Sequence, residues 1–157
     1  MNSHQNHGFT KQLEVSKEFF NRSTRVLEES DSEFRPQPGM MTVAQQVAHT
    51  AQTIEWFVQG VTSTGGFDLN FDQHAKELQK VTSLVAARKM LEAAFTKALQ
   101  FVRGSDLASS IPPGPIMGGQ PLGNIVWAIV EHTAHHRGAL TVYSRQLGKV
   151  PPMPYMD

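Results

Sequence analysis

The chain has no cysteine among its 157 residues. That excludes disulfides, protein thiolate nucleophiles, iron–sulfur clusters and cysteine-based zinc sites together. It also has no excess of either charge: Lys+Arg and Asp+Glu are 14 each, a formal net charge of +0. Phosphate neutralisation needs a basic surplus or stripe, so nucleic acid is not an expected partner. Long apolar runs are missing too. The longest, Ile125 to Val130, is six residues, far short of the ~20 that a membrane-spanning helix needs. The N-terminal MNSHQNHG is polar and lacks the apolar stretch of a signal peptide. The expected setting is cytoplasmic, with no membrane partner.

Hydrophobic residues make up 39% of the chain and charged residues 18%, the balance of a globular protein. At this length a single domain over residues 1–157 is expected, with residues 1–8 as a flexible tail and the Pro-rich residues 149–157 as a C-terminal tail. The apolar periods are helical throughout. A first amphipathic helix is expected from about Phe9 to Glu29, with Leu13, Phe20 and Leu27 seven apart, before the breaker DSEFRPQPG. A second begins at Thr42, where Thr42 and Gln45 have capping-box spacing, and carries Val43, Val47, Ala51, Ile54, Val58 and Val61 as its stripe. Gly65-Gly66 ends it, and a short helix near Gln73 to Lys80 is expected in the following connection.

A third long helix spans about Ser83 to Val102, with Gly104 as its left-handed cap. Ser109 to Gly119 is rich in Pro and Gly and reads as a structured loop. The fourth long helix starts with Pro121 in its first turn and runs through Leu147, with Gly148 closing it. The fold class predicted is all-α, a four-helix bundle.

With cysteine absent, borderline-metal chemistry falls to histidine, of which there are seven. His132 and His136 are four apart on the fourth long helix, about 40° apart on one face, and can point at a common centre. His135 points away and is spaced to pair with Glu131. His49, on the second helix, shares a face with Gln45, Gln52, Thr53 and Trp56, a composition suited to a small wet cavity between helices. Three histidines with coordination positions left over are the arrangement of a catalytic or ligand-binding metal site. On spacing alone, HxxxH is also a common surface pattern. His4 and His7 read as tail residues and His74 as a loop or surface one.

Three phrases carry a family resemblance: MTVAQQVAHTAQTIEW, HTAHHRGALTVYSRQLG and the ending GKVPPMP. Together they resemble the DinB/YfiT-like family of metal-dependent enzymes, over nearly the whole chain. Ala139 stands where that family often has Gln. The resemblance implies a four-helix bundle, often a homodimer, with one divalent transition metal, zinc or nickel foremost, held by His49, His132 and His136. It further implies a metal-dependent enzyme acting on a small-molecule substrate. The leading expectation is an S-transferase or isomerase using a low-molecular-weight thiol, which would supply the nucleophile that a cysteine-free chain lacks. The alternative is a non-enzymatic stress-response protein that binds metal or a small ligand.

Four further residues are candidates for lining the site. Gln52 and Trp56 follow His49 by one and two turns. Arg137 follows a candidate ligand directly, and its charge suits a structural bridge or an anionic substrate. Tyr143, two turns past His136, suits either proton donation or the core. The Ile111 to Gly119 loop reads equally as the site's rim or as a plain connector.

Overall fold

The computed structural model describes residues 3–156, with side chains from Asn6 onward. The described residues form five α-helices: α1 (Ser3–Thr24), α2 (Val43–Thr62), α3 (Phe71–Gln79), α4 (Leu84–Gly104) and α5 (Asn124–Gln146). Among the described residues the only extended pairing is an isolated bridge between Ser110 and Pro121. No helix among the described residues is long and apolar enough to cross a membrane.

The four long helices form a ring in the order α1, α5, α2, α4, each packing on the next and α4 closing on α1. Helices consecutive along the chain, α1 with α2 and α4 with α5, are therefore diagonal partners. Side-chain contacts give the directions. Asn6 bonds Val102 and Ser105 while Arg88 bonds Thr24, so α1 and α4 are antiparallel. Gln46 reaches Tyr143, near the opposite terminus of its partner helix, so α2 and α5 are antiparallel too. Leu13, Phe20, Val47, Ile54, Leu91, Phe95, Ile125, Ile129 and Leu140 are buried along the ring's interior.

The N-terminus of α2 is fully satisfied, and this fixes where His49 points. Val43 and Ala44 donate to the carbonyls of Phe34 and Ser32 in the preceding loop. Thr42 and Gln45 form the expected capping box, with Gln45 N–H donating to Thr42 Oγ1 at 3.2 Å and Thr42 N–H to Gln45 Oε1 at 3.0 Å. The same loop caps α4: Leu84 N–H donates to Ser32 Oγ and Val85 N–H to Glu29 Oε2. One segment thus sets the register of two helices.

Several element ends differ from the sequence reading. Residues 3–8 are the opening turns of α1 rather than a tail; residues 1 and 2 lie outside the described residues. The same helix stops at Thr24, whose carbonyl accepts from Leu27 N–H in a tighter turn at 3.1 Å and from the Arg88 guanidinium at 2.8 Å. Leu27 is still buried, but as a loop residue past the helix. The short α3 begins at Phe71, with Asn70 accepting from Gln73 N–H as its cap. Gly104 is the last helical residue of α4 and is not left-handed; Ser105 makes the extended exit. Pro121 precedes α5 and is held in the bridge to Ser110. Gly148 does close α5, at φ +74°, with Lys149 N–H reaching back to the Ser144 carbonyl at 2.9 Å.

Candidate metal centre

His49 on α2 faces His132 and His136 on α5. One ring nitrogen from each lies within 4.8 Å of the other two. The ring centroids are 4.4 Å apart for His132 and His136, 4.8 Å for His49 and His136, and 5.2 Å for His49 and His132. Nitrogens bound to one tetrahedral zinc-like ion at about 2.0–2.1 Å stand about 3.4 Å apart, so the rings draw together by about an ångström to close the cluster on an ion.

Burial keeps all three imidazoles neutral, the form a metal needs. Desolvation is the chief cause in each case. It lowers the pKa of His49, with a partial offset from the Gln52 amide. For His132 burial and the nearby His49 bring it to about 4, and for His136 burial with His132 and His49 brings it to about 3.

His136 is also oriented from behind. Its Nδ1–H donates to Gln46 Oε1 at 2.5 Å, which leaves Nε2 as the lone-pair nitrogen. Gln46 Nε2 in turn donates to the Tyr143 hydroxyl at 3.2 Å, and Tyr143 donates to the Met41 carbonyl at 3.0 Å. This relay is of the type that fixes the tautomer of metal-bound histidines, with an amide in place of the more usual carboxylate. His49 Nδ1 and His132 Nε2, by contrast, are buried without any hydrogen-bond partner. Orphaned buried ring nitrogens are costly, and an ion shared among the three rings satisfies them. The residues fit a divalent transition metal.

The site opens into a cavity of about 320 Å³ between α2, α3 and α5, with His49 and His132 at one wall and Trp56, Phe71 and His74 at another. None of the residues lining it is acidic. A divalent ion held by three neutral rings would keep its full charge there, which favours an anionic guest.

The remaining sequence candidates divide. Gln52 lines the cavity and donates from Nε2 to the His74 carbonyl at 3.0 Å, tying α3 to α2. Trp56 lines it as well, packs on Phe67 at 4.7 Å, and donates from Nε1 to the Asp68 carbonyl at 2.7 Å. Tyr143 is buried and acts through Gln46, so its position is behind the site rather than in it. Arg137 is not in the cavity. It lines an apolar groove between α1 and α5, of about 590 Å³, because one step along α5 from His136 turns it about 100° away. The Ile111 to Gly119 loop contributes nothing to the cavity either; Ile111 is buried as a plug in the core.

His135 and Glu131 make no bond with each other; the His135 ring lies 4.8 Å from that of His136, outside the converging trio. Sequence reasoning missed Gln46 and placed His74 on the surface without a role. The available signal for Gln46 was a polar residue one turn before His49 on a helix otherwise apolar at that position. For His74, the short helix that carries it over the cavity was expected, but not its docking against α2.

A search of the curated proteins gave no match. Among solved structures, the chain is similar to YfiT from Bacillus subtilis, described as a probable metal-dependent hydrolase with an unusual four-helix bundle topology. The two share 19% sequence identity and a TM-score of 0.70, covering 95% of this chain and 91% of that one. That likeness shows the fold. The DinB family model matches residues 1–157, the whole length, and the chain belongs to the DinB family.

Proposed function

We propose that the protein is a divalent-metal-dependent enzyme that transfers a low-molecular-weight thiol to a small electrophilic molecule. The observation that carries the reading is the convergence of His49, His132 and His136, two of them with orphaned buried nitrogens and lining an open cavity that has no acidic residue. When bound, the ion supplies Lewis acidity that lowers the pKa of a coordinated thiol or water. The thiol is favoured because the chain has no cysteine of its own, and the cationic, carboxylate-free site suits a thiolate.

The chain's own residues do the rest. The three rings would hold the ion, and the Gln46–Tyr143 relay would hold His136 in the ligating tautomer. Trp56 and Phe71 give the cavity apolar walls that limit water around the reacting groups. A more polar hollow of about 440 Å³ adjoins it through Gln52, Trp56 and His74, and provides room for the body of a thiol larger than the cavity itself.

The test is a screen of zinc- and nickel-loaded protein with glutathione, cysteine and other small thiols against an electrophile such as a chlorodinitrobenzene. Metal-dependent loss of free thiol, absent in the His49→Ala variant, is expected. Ester or amide cleavage without thiol would move the reading to a hydrolase, the activity attributed to YfiT. No turnover with metal fully bound would leave a metal- or ligand-binding protein.

A further inference from the structure

The reading of the cavity as a metal-dependent catalytic site leaves one titratable side chain on its wall without a part in it. His74, on α3, lines the same cavity as His49 and His132 but is not one of the three converging rings. Its Nε2 lies 2.9 Å from Asp68 Oδ2. Asp68 is held firmly as a carboxylate: the Asn70 N–H donates to its Oδ1 at 2.9 Å, and this bond, followed by the contact with His74, lowers its pKa. Against an ionised carboxylate Nε2 must carry the hydrogen, so Nδ1 is left with its lone pair.

The pair is anchored on both sides. The Asp68 carbonyl accepts from Trp56 Nε1, and the His74 carbonyl accepts from Gln52 Nε2, so two cavity residues of α2 fix the loop and the helix that bear it. Asp68 itself does not line the cavity; it lines the adjoining hollow together with His74. The other carboxylates lining the adjoining hollow are engaged elsewhere, Glu55 with Lys97 at 2.6 Å and Glu77 with Lys80 at 2.7 Å.

We propose that His74, oriented by Asp68, is the proton acceptor of the site. A nucleophile entering the cavity as a neutral thiol or water must shed a proton to act as an anion. In the proposed step its S–H or O–H bond breaks, the electron pair stays on the nucleophile, and an N–H bond forms at His74 Nδ1. The carboxylate of Asp68 stabilises the resulting imidazolium, and the same proton is available to the leaving group later.

The proposal can be tested without knowing the substrate. Acetohydroxamic acid binds metals as its anion and must give up one proton in doing so. Calorimetric titration of the zinc-loaded full chain near pH 8, in buffers of different ionisation enthalpy, counts the protons released. With His74 as acceptor, the wild type releases fewer protons per ligand bound than His74→Gln, and Asp68→Asn falls between them. Zinc stoichiometry should be the same in all three. Equal proton release by wild type and His74→Gln, with hydroxamate still binding, would overturn the proposal alone. Failure of the zinc-loaded wild type to bind hydroxamate would overturn the metal-centre reading and this proposal with it.

Discussion

His136 on α5 and Gln46 on α2 are 90 positions apart in sequence and 2.5 Å apart in space, joined by a hydrogen bond from ring Nδ1 to amide Oε1. Because Gln46 also donates to Tyr143, its orientation is not free: the amide nitrogen faces the tyrosine and the oxygen faces the histidine. Gln46→Leu should therefore weaken metal binding by about 10- to 100-fold while leaving the stoichiometry unchanged. Competition with a chromophoric chelator measures this. Unchanged affinity would mean that the amide does not set the ring.

His132 Nε2 is buried with no partner, so in metal-free protein this ring destabilises the fold. A leucine there has no orphaned nitrogen and comparable volume. Metal-free His132→Leu is expected to be more stable than metal-free wild type by about 1 kcal/mol, since it removes an unsatisfied buried polar group. The rise in melting temperature on adding zinc should disappear in the same variant. A large loss of stability in the metal-free variant would contradict the assignment of that nitrogen as unsatisfied.

Acid should destabilise the metal-free protein through the same rings. Burial lowers the pKa of His132 to about 4 and that of His136 to about 3, against 6.5 when unfolded. Between these values the unfolded chain binds more protons than the folded one, so stability rises with pH across the window. The contribution is complete above about pH 6.5 and is lost as pH falls towards 3. Urea unfolding at pH 7 and pH 5 should show a drop in wild type that is smaller in the His132→Leu/His136→Leu double variant. Parallel drops would contradict the depressed values.

Gly60 on α2 is buried against the ring of Phe67, and a Cβ at this position would overlap that ring. Phe67 packs in turn on Trp56, a cavity wall. Gly60→Ala should cost about 1–3 kcal/mol by overpacking, with a shift in tryptophan fluorescence as Trp56 moves. A silent substitution would show that Phe67 can leave without disturbing the wall.

The bundle and the His132–His136 pair were legible because they depend on local periodicity, with stripes at three and four residues and a capping box at Thr42, whereas His49 joined them through its polar helix face and the family resemblance. The relay was not legible, since Gln46, Tyr143 and Met41 meet only when α2 packs antiparallel to α5. The same holds for the contact at the early end of α1, where Arg88 of α4 reaches the Thr24 carbonyl from 64 residues away. Arg137 misled for a different reason. Adjacency in sequence to His136 means a turn of about 100° around α5, which carries Arg137 into the groove against α1. His74 looked like a loop residue until α3 docked it over the cavity, held through Gln52.

The central claim is that His49, His132 and His136 together hold one metal ion. Elemental analysis of untagged protein, purified without chelator or metal-affinity column, tests it most directly, with His49→Ala prepared alongside. The account predicts about one equivalent of a divalent transition metal per wild-type chain, after reconstitution if necessary, and its loss in the variant. A wild type that takes up no ion, or a His49→Ala protein that keeps a full equivalent, would contradict it.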